Sequence, residues 1–137
     1  MSKRPKVDEV MTVLPYTIEG QAPVIEAKKT MAEYGIRHLP VTVHGELFGI
    51  LSDRDLKLAQ AVSKEPDFTV TTKVQDICQV EVYVVDRETS LQEVLAYMAD
   101  QHIGSALVED GGILCGIFTA TDACRAFAQY LAEGKIK

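Results

Sequence analysis

Gly49-Ile50-Leu51-Ser52-Asp53-Arg54-Asp55 returns 67 residues later as Gly116-Ile117-Phe118-Thr119-Ala120-Thr121-Asp122. The same displacement, with no gap, sets Met31 on Met98, Ile36 on Ile103, Gly45 on Gly112, Tyr16 on Tyr83 and Glu26 on Glu93. The leading segments agree as well, Val7-Asp8-Glu9-Val10-Met11 against Val74-Gln75-Asp76-Ile77-Cys78. The chain is therefore a tandem repeat with copies of about sixty residues. A copy of that size buries only about 60% of its unfolded surface and is marginal alone. Two copies are thus expected to pack face to face about a pseudo-two-fold axis.

Each copy carries the same order of signals. Val80 to Val85 is rich in β-branched and aromatic residues and reads as a strand, matched more weakly by Val13 to Ile18. A helix follows: Ser90 and Glu93 form a capping box ahead of Leu91, Val94, Leu95 and Met98, and in the first copy Pro23 suits the first turn of the Val24, Ala27, Met31 stripe. Next comes a hairpin, Leu39 to Val43 and Leu47 to Leu51 around His44-Gly45-Glu46, echoed by Ser105 to Val108 and Ile113 to Phe118 around Glu109-Asp110-Gly111-Gly112. A second helix closes each copy, over Asp55 to Val62 and Asp122 to Leu131. The fold class is α+β, two β-α-β-β-α repeats, with repeat 1 at 1–64, a linker at 65–72 that holds Pro66-Asp67-Phe68-Thr69, and repeat 2 at 73–137.

With 137 residues, 47% apolar and 25% charged, the composition is that of one soluble globular unit. The start, Met1-Ser2-Lys3-Arg4-Pro5-Lys6, lacks the apolar stretch of a signal peptide, and no run approaches a membrane span. A net charge of −6 argues against a nucleic-acid groove. Cys78, Cys115 and Cys124 lack CxxC spacing and sit in apolar stretches, which fits small packed thiols in a reduced cytoplasm. His38, His44 and His102 show no metal-ligand spacing, and neither a nucleophilic triad, a P-loop nor GxGxxG is present.

The chemistry concentrates where the hairpin's second strand meets the closing helix. There each copy puts a hydroxyl, Ser52 or Thr119, three residues before a carboxylate, Asp55 or Asp122. A helix start favours anionic oxygens, and an ionised Asp accepts hydrogen bonds only and so suits a pair of hydroxyls. Phosphate plus ribose asks for both. The same four residues also read as helix caps. Gly49 and Gly116 either admit a ligand's close approach or relieve crowding in a strand. Ahead of the hairpin the copies diverge, Arg37-His38-Leu39-Pro40 against Gly104-Ser105-Ala106-Leu107, and Arg54 stands where the second copy has Thr121. Pro40 keeps Leu39 extended, so Arg37 lies near a strand end, either within reach of a phosphate or simply solvated. Two clefts, if formed, would not bind alike.

Val10-Met11-Thr12, Ile36-Arg37-His38-Leu39-Pro40-Val41 and Gly49-Ile50-Leu51-Ser52-Asp53-Arg54-Asp55-Leu56 together resemble the cystathionine beta-synthase (CBS) domain family, present as a tandem pair across nearly the whole chain. The second copy departs at Cys78, at Gly104-Ser105-Ala106-Leu107 and at Ala120-Thr121, and keeps Gly116, Thr119 and Asp122. The resemblance implies a regulatory pair that binds AMP, ADP, ATP or S-adenosylmethionine, forms a homodimer through its helices and controls a separate, unidentified partner protein. It implies two crossed sites. The first would combine Thr12, Val13, Ile18, His38, Leu39 and Pro40 with Thr119, Thr121 and Asp122, the Asp holding ribose hydroxyls. The second would combine Val80, Val82, Ser105 and Ala106 with Ser52, Arg54 and Asp55, with Arg54 favouring a phosphate.

No catalytic residue, metal or cofactor is required, so the leading expectation is a cytoplasmic, non-enzymatic adenine-nucleotide module, with no nucleic-acid or membrane partner. The rival is a structural homodimerisation module with empty clefts, in which both aspartates only cap helices.

Overall fold

The computed structural model describes residues 4–13 and 16–134. Its elements are β1 (Thr12–Val13), β2 (Ile18–Glu19), α1 (Val24–Tyr34), β3 (His38–Val43), β4 (Glu46–Ser52), α2 (Asp53–Val62), α3 (Phe68–Thr71), β5 (Val84–Asp86), α4 (Leu91–Gln101), β6 (Ser105–Asp110), β7 (Ile113–Thr119) and α5 (Ala120–Ala132). The expected α+β repeats are both present. The hairpin turns reduce to His44-Gly45 and Gly111-Gly112, with φ of 53°, 78°, 59° and 86°. Two consecutive residues at positive φ make a type I′ turn, whose twist matches the flanking strands.

The chain forms two compact units, and they do not follow the order of the copies. One contains the described residues of 15–82, the other those of 1–14 with 83–137. In the first, β2 runs parallel to β3 after the α1 crossover, and β3 pairs antiparallel with β4. The apolar stripe Val24, Ala27 and Met31 of α1 packs with Leu39, Val41, Leu51 and Leu56. In the second, the sheet order is β1-β7-β6-β5, and Leu91, Val94 and Met98 of α4 pack with Ala106, Val108 and Phe118.

Each copy lends its leading segment to the sheet built by the other. Thr12 of β1 lies opposite Ile117 of β7, and Val13 opposite Gly116. At the matching place Gln79 pairs with Ile50 of β4 through two backbone hydrogen bonds of 2.9 Å. Behind these strands Val7 is fully buried in one core and Val74 in the other. Ion pairs clamp the first segment further: Arg87 reaches Asp8 at 3.0 Å and Asp110 at 3.2 Å, and Lys6 pairs with Glu88. At the position matching Arg87 stands Gly20, with Gln75 against it.

The exchange accounts for the glycine that both copies carry at the same place, Gly49 and Gly116. A Cβ at Gly49 would fall on the backbone oxygen of Gln79, and one at Gly116 on the Met11 side chain. Of the two readings of these glycines, crowding is therefore the observed one, and the crowding group is the exchanged segment. It also explains where the strand expectations differ. Val80 to Val85 is not one strand, because Gln79 is committed to β4 in one unit and regular pairing resumes only at Val84 in the other. The Val13 to Ile18 stretch divides similarly between β1 and β2, with Leu14 and Pro15 outside the described residues. Met1 to Lys3 and the tail Lys135-Ile136-Lys137 also lie outside them. Within 65–72, one helical turn, α3, forms because Phe68 is buried in the core beside α1.

Helices α1 and α4 both end on a left-handed residue, Gly35 (φ 63°) and His102 (φ 56°). The left-handed conformation is free for glycine and strained for a residue with a Cβ. His102→Gly is therefore expected to raise the unfolding free energy by up to about 1 kcal/mol, offset in part by the looser unfolded chain, as read by urea denaturation.

Candidate functional site

Both strand-to-helix junctions are built from local capping. Ser52, extended at the end of β4, accepts a hydrogen bond from the Asp55 N–H at 3.0 Å. Thr119, at the end of β7, does the same for the Asp122 N–H at 3.3 Å. In the second copy the cap is reciprocal, with the Thr119 N–H donating to Asp122 Oδ2 at 3.0 Å and its hydroxyl lying 3.2 Å from the same oxygen. The N–H that opens each helix is also taken, Asp53 by the Arg37 carbonyl at 2.8 Å and Ala120 by the Gly104 carbonyl at 3.0 Å. The helix starts therefore offer an anion fewer N–H groups than expected, and the carboxylates become the distinctive feature.

Asp122 is 4% exposed and is the buried charged residue among those described. Its second oxygen, Oδ1, accepts from the Thr12 hydroxyl at 3.0 Å and from Arg125 Nη1 at 3.0 Å. Asp55 is half-buried, and its Oδ1 lies 3.5 Å from Gln79 Nε2. Thr12 and Gln79 occupy the same place in their copies. Each junction carboxylate is thus met by a side chain from the leading segment of the other copy, held there by the strand exchange.

The expected site residues divide between the units. Thr12, Val13, Ser105, Ala106, Thr119, Thr121 and Asp122 belong to one. Ile18, His38, Leu39, Pro40, Ser52, Arg54, Asp55, Val80 and Val82 belong to the other. Ser105 pairs with Thr119 across β6 and β7, and His38 with Ser52 across β3 and β4, so both pre-hairpin segments lie beside their own copy's junction. Ile18, Leu39 and Ala106 point into the cores, and Pro40 is buried. Val13, Val80, Arg54 and Thr121 are exposed.

Two residues were missed by the sequence reading. Gln79 was legible as the counterpart of Thr12 at the 67-residue displacement. Arg125 was legible as a cation three residues after Asp122, on the same helix face, where the first copy has Leu58. Among the described residues no three His, Cys, Asp or Glu side chains group as a metal site. No described helix is long and apolar enough to cross a membrane. Burial pushes the Cys78 and Cys115 thiols up.

Paired α+β repeats, each with a helix-capping hydroxyl at the end of its hairpin and a carboxylate three residues later, define a class of small tandem modules. The particular family is the CBS domain, which matches residues 7–61 and again 74–129, and the chain belongs to it. Over 123 residues it is 27% identical to the L-aspartate semialdehyde sulfurtransferase of Methanocaldococcus jannaschii, taking in 88% of this chain and 23% of that protein. The chain spans about a quarter of the length of the first curated relatives it matches. Among solved structures, the CBS domain pair of protein MJ0100, in complex with 5′-methylthioadenosine and S-adenosyl-L-methionine, is similar with a TM-score of 0.80 at 25% identity, covering 92% of this chain and 98% of that one. CBSX2 in complex with AMP is similar with a TM-score of 0.71 at 26% identity, covering 90% and 96%.

Proposed function

We propose that the chain is a non-catalytic regulatory module that binds an adenosine-type ligand, AMP, ADP, ATP or S-adenosylmethionine, and controls a separate partner protein. The observation that carries this reading is the Asp122 carboxylate, buried at a strand-to-helix junction and repeated at Asp55. A carboxylate accepts hydrogen bonds only, so a ribose diol is its natural complement. The ligands present in the MJ0100 and CBSX2 structures, both similar to this chain, support that class. The module works in the cytoplasm as a homodimer joined by helix faces, for which exposed Leu58 and Val62 on α2 and Phe127 and Leu131 on α5 supply apolar surface. Ligand acts through its differential affinity for two states of the pair.

One observation favours the structural alternative: the reciprocal Thr119 and Asp122 cap gives that carboxylate a role without any ligand. Thermal unfolding with AMP, ADP, ATP or S-adenosylmethionine at millimolar concentration separates the two. A ligand that binds only the folded state raises stability by about 2.7 kcal/mol at a hundred times its Kd. A selective rise that is lost in Asp122→Asn or Asp55→Asn is the expected result. No shift with any of them would leave a dimerisation module, and steady product formation from ATP would make it an enzyme.

A further inference from the structure

We propose that Arg125 makes the Asp122 site select phosphorylated adenosines over uncharged ones, by exchanging its carboxylate partner for the ligand's phosphate. The inference rests on the reading that Asp122 holds a ribose. The two oxygens of Asp122 are differently committed. Oδ2 belongs to the helix cap, through the Thr119 N–H and hydroxyl. Oδ1 is held by two exposed residues, Thr12 and Arg125, the latter with 69% of its side chain exposed. A ribose diol can therefore replace the donors on Oδ1 without dismantling the cap.

The exchange has a different balance for different ligands. Two hydroxyls satisfy the carboxylate, but they leave the guanidinium tethered one helical turn away without its acceptor. A phosphate on the same ligand restores an anionic, bidentate acceptor for that planar fork. An uncharged adenosine loses the ion pair and returns nothing to it. Among the described residues the first copy has no such device. Leu58 stands at the position of Arg125, and among the described residues the side chain that meets Asp55 Oδ1 is the Gln79 amide, at 3.5 Å. Selection by this route thus belongs to Asp122 and not to Asp55.

The test uses calorimetric titration of AMP and 5′-methylthioadenosine, with Asp55→Asn present throughout so that the Asp122 site is read alone. Adding Arg125→Ala is expected to weaken AMP about tenfold or more, as loss of a charged hydrogen bond does. It is expected to leave 5′-methylthioadenosine unchanged or strengthen it by up to about fivefold, the worth of an exposed ion pair. Arg125→Lys, which keeps the charge and loses the fork, is expected to fall between. Parallel changes for the two ligands, or none for AMP, would overturn the inference. Binding to the unaltered protein but not to Asp55→Asn would overturn it alone. Binding of neither ligand to the unaltered protein would overturn the functional reading beneath it as well.

Discussion

Gly49→Ala is expected to cost about 2–3 kcal/mol of unfolding free energy, and Gly116→Ala about 1 kcal/mol or less, although the glycines occupy the same place in their copies. The difference lies in what each added methyl would strike. At Gly116 it meets the thioether of Met11, which can rotate aside. At Gly49 it meets the Gln79 carbonyl, whose oxygen accepts from the Ile50 N–H while the Gln79 N–H donates to the Ile50 carbonyl, both at 2.9 Å. Backbone held at two points yields only by breaking those bonds, at about 1 kcal/mol each. Urea denaturation of both variants measures the contrast. Equal losses would mean that the 79 segment does not lie across Gly49 in solution. Because Gln79 also reaches Asp55, Gly49→Ala should in addition weaken any ligand held there.

Asp122→Ala is expected to lower stability by about 2–4 kcal/mol, against about 1 kcal/mol or less for Asp55→Ala. The Asp122 carboxylate is buried and serves the Thr119 N–H, the Thr119 and Thr12 hydroxyls and Arg125. Its loss orphans several donors at once. Asp55 is half-buried, its side chain meets Gln79 at a long 3.5 Å among the described residues, and its backbone N–H keeps the Ser52 cap whatever the side chain. A double-mutant cycle of Asp122→Ala with Thr12→Val isolates the contact between the leading segment and the junction. A coupling of about 1 kcal/mol is expected, and a value near zero would remove the Thr12 bond from the account.

The repeat made most of this architecture legible. A fixed displacement placed both hairpins, both pairs of helices and both carboxylates, because periodicity and turn chemistry are local properties that duplication copies faithfully. The exchange of leading segments was not legible from those local signals. Val7 and Val74 are both apolar, Gly49 and Gly116 both glycines, so pairing Thr12 with its own copy or with the other satisfies the same pattern. Only the nonlocal pairing distinguishes them. Arg125, one of the partners of Asp122, was less legible for a related reason: a repeat displays what its copies share, and Arg125 has Leu58 as its counterpart. The split of Val80 to Val85 also follows from the exchange, since propensity alone cannot register a chain leaving one sheet for another.

The exchange also sets an order of events during synthesis. The unit of residues 15–82 is contiguous and can close as soon as Gln79 reaches β4. The segment ahead of it cannot, because the bond from Thr12 to Asp122 spans 110 residues. Long-range pairing of this kind is slow, since loop closure precedes any stabilising contact. Residues around Val7 and Met11 must therefore wait with apolar side chains uncovered until β7 and α5 emerge. A ribosome stalled before residue 113 would hold a folded half preceded by a sticky arm, a target for chaperones or for the edge of a neighbouring nascent chain.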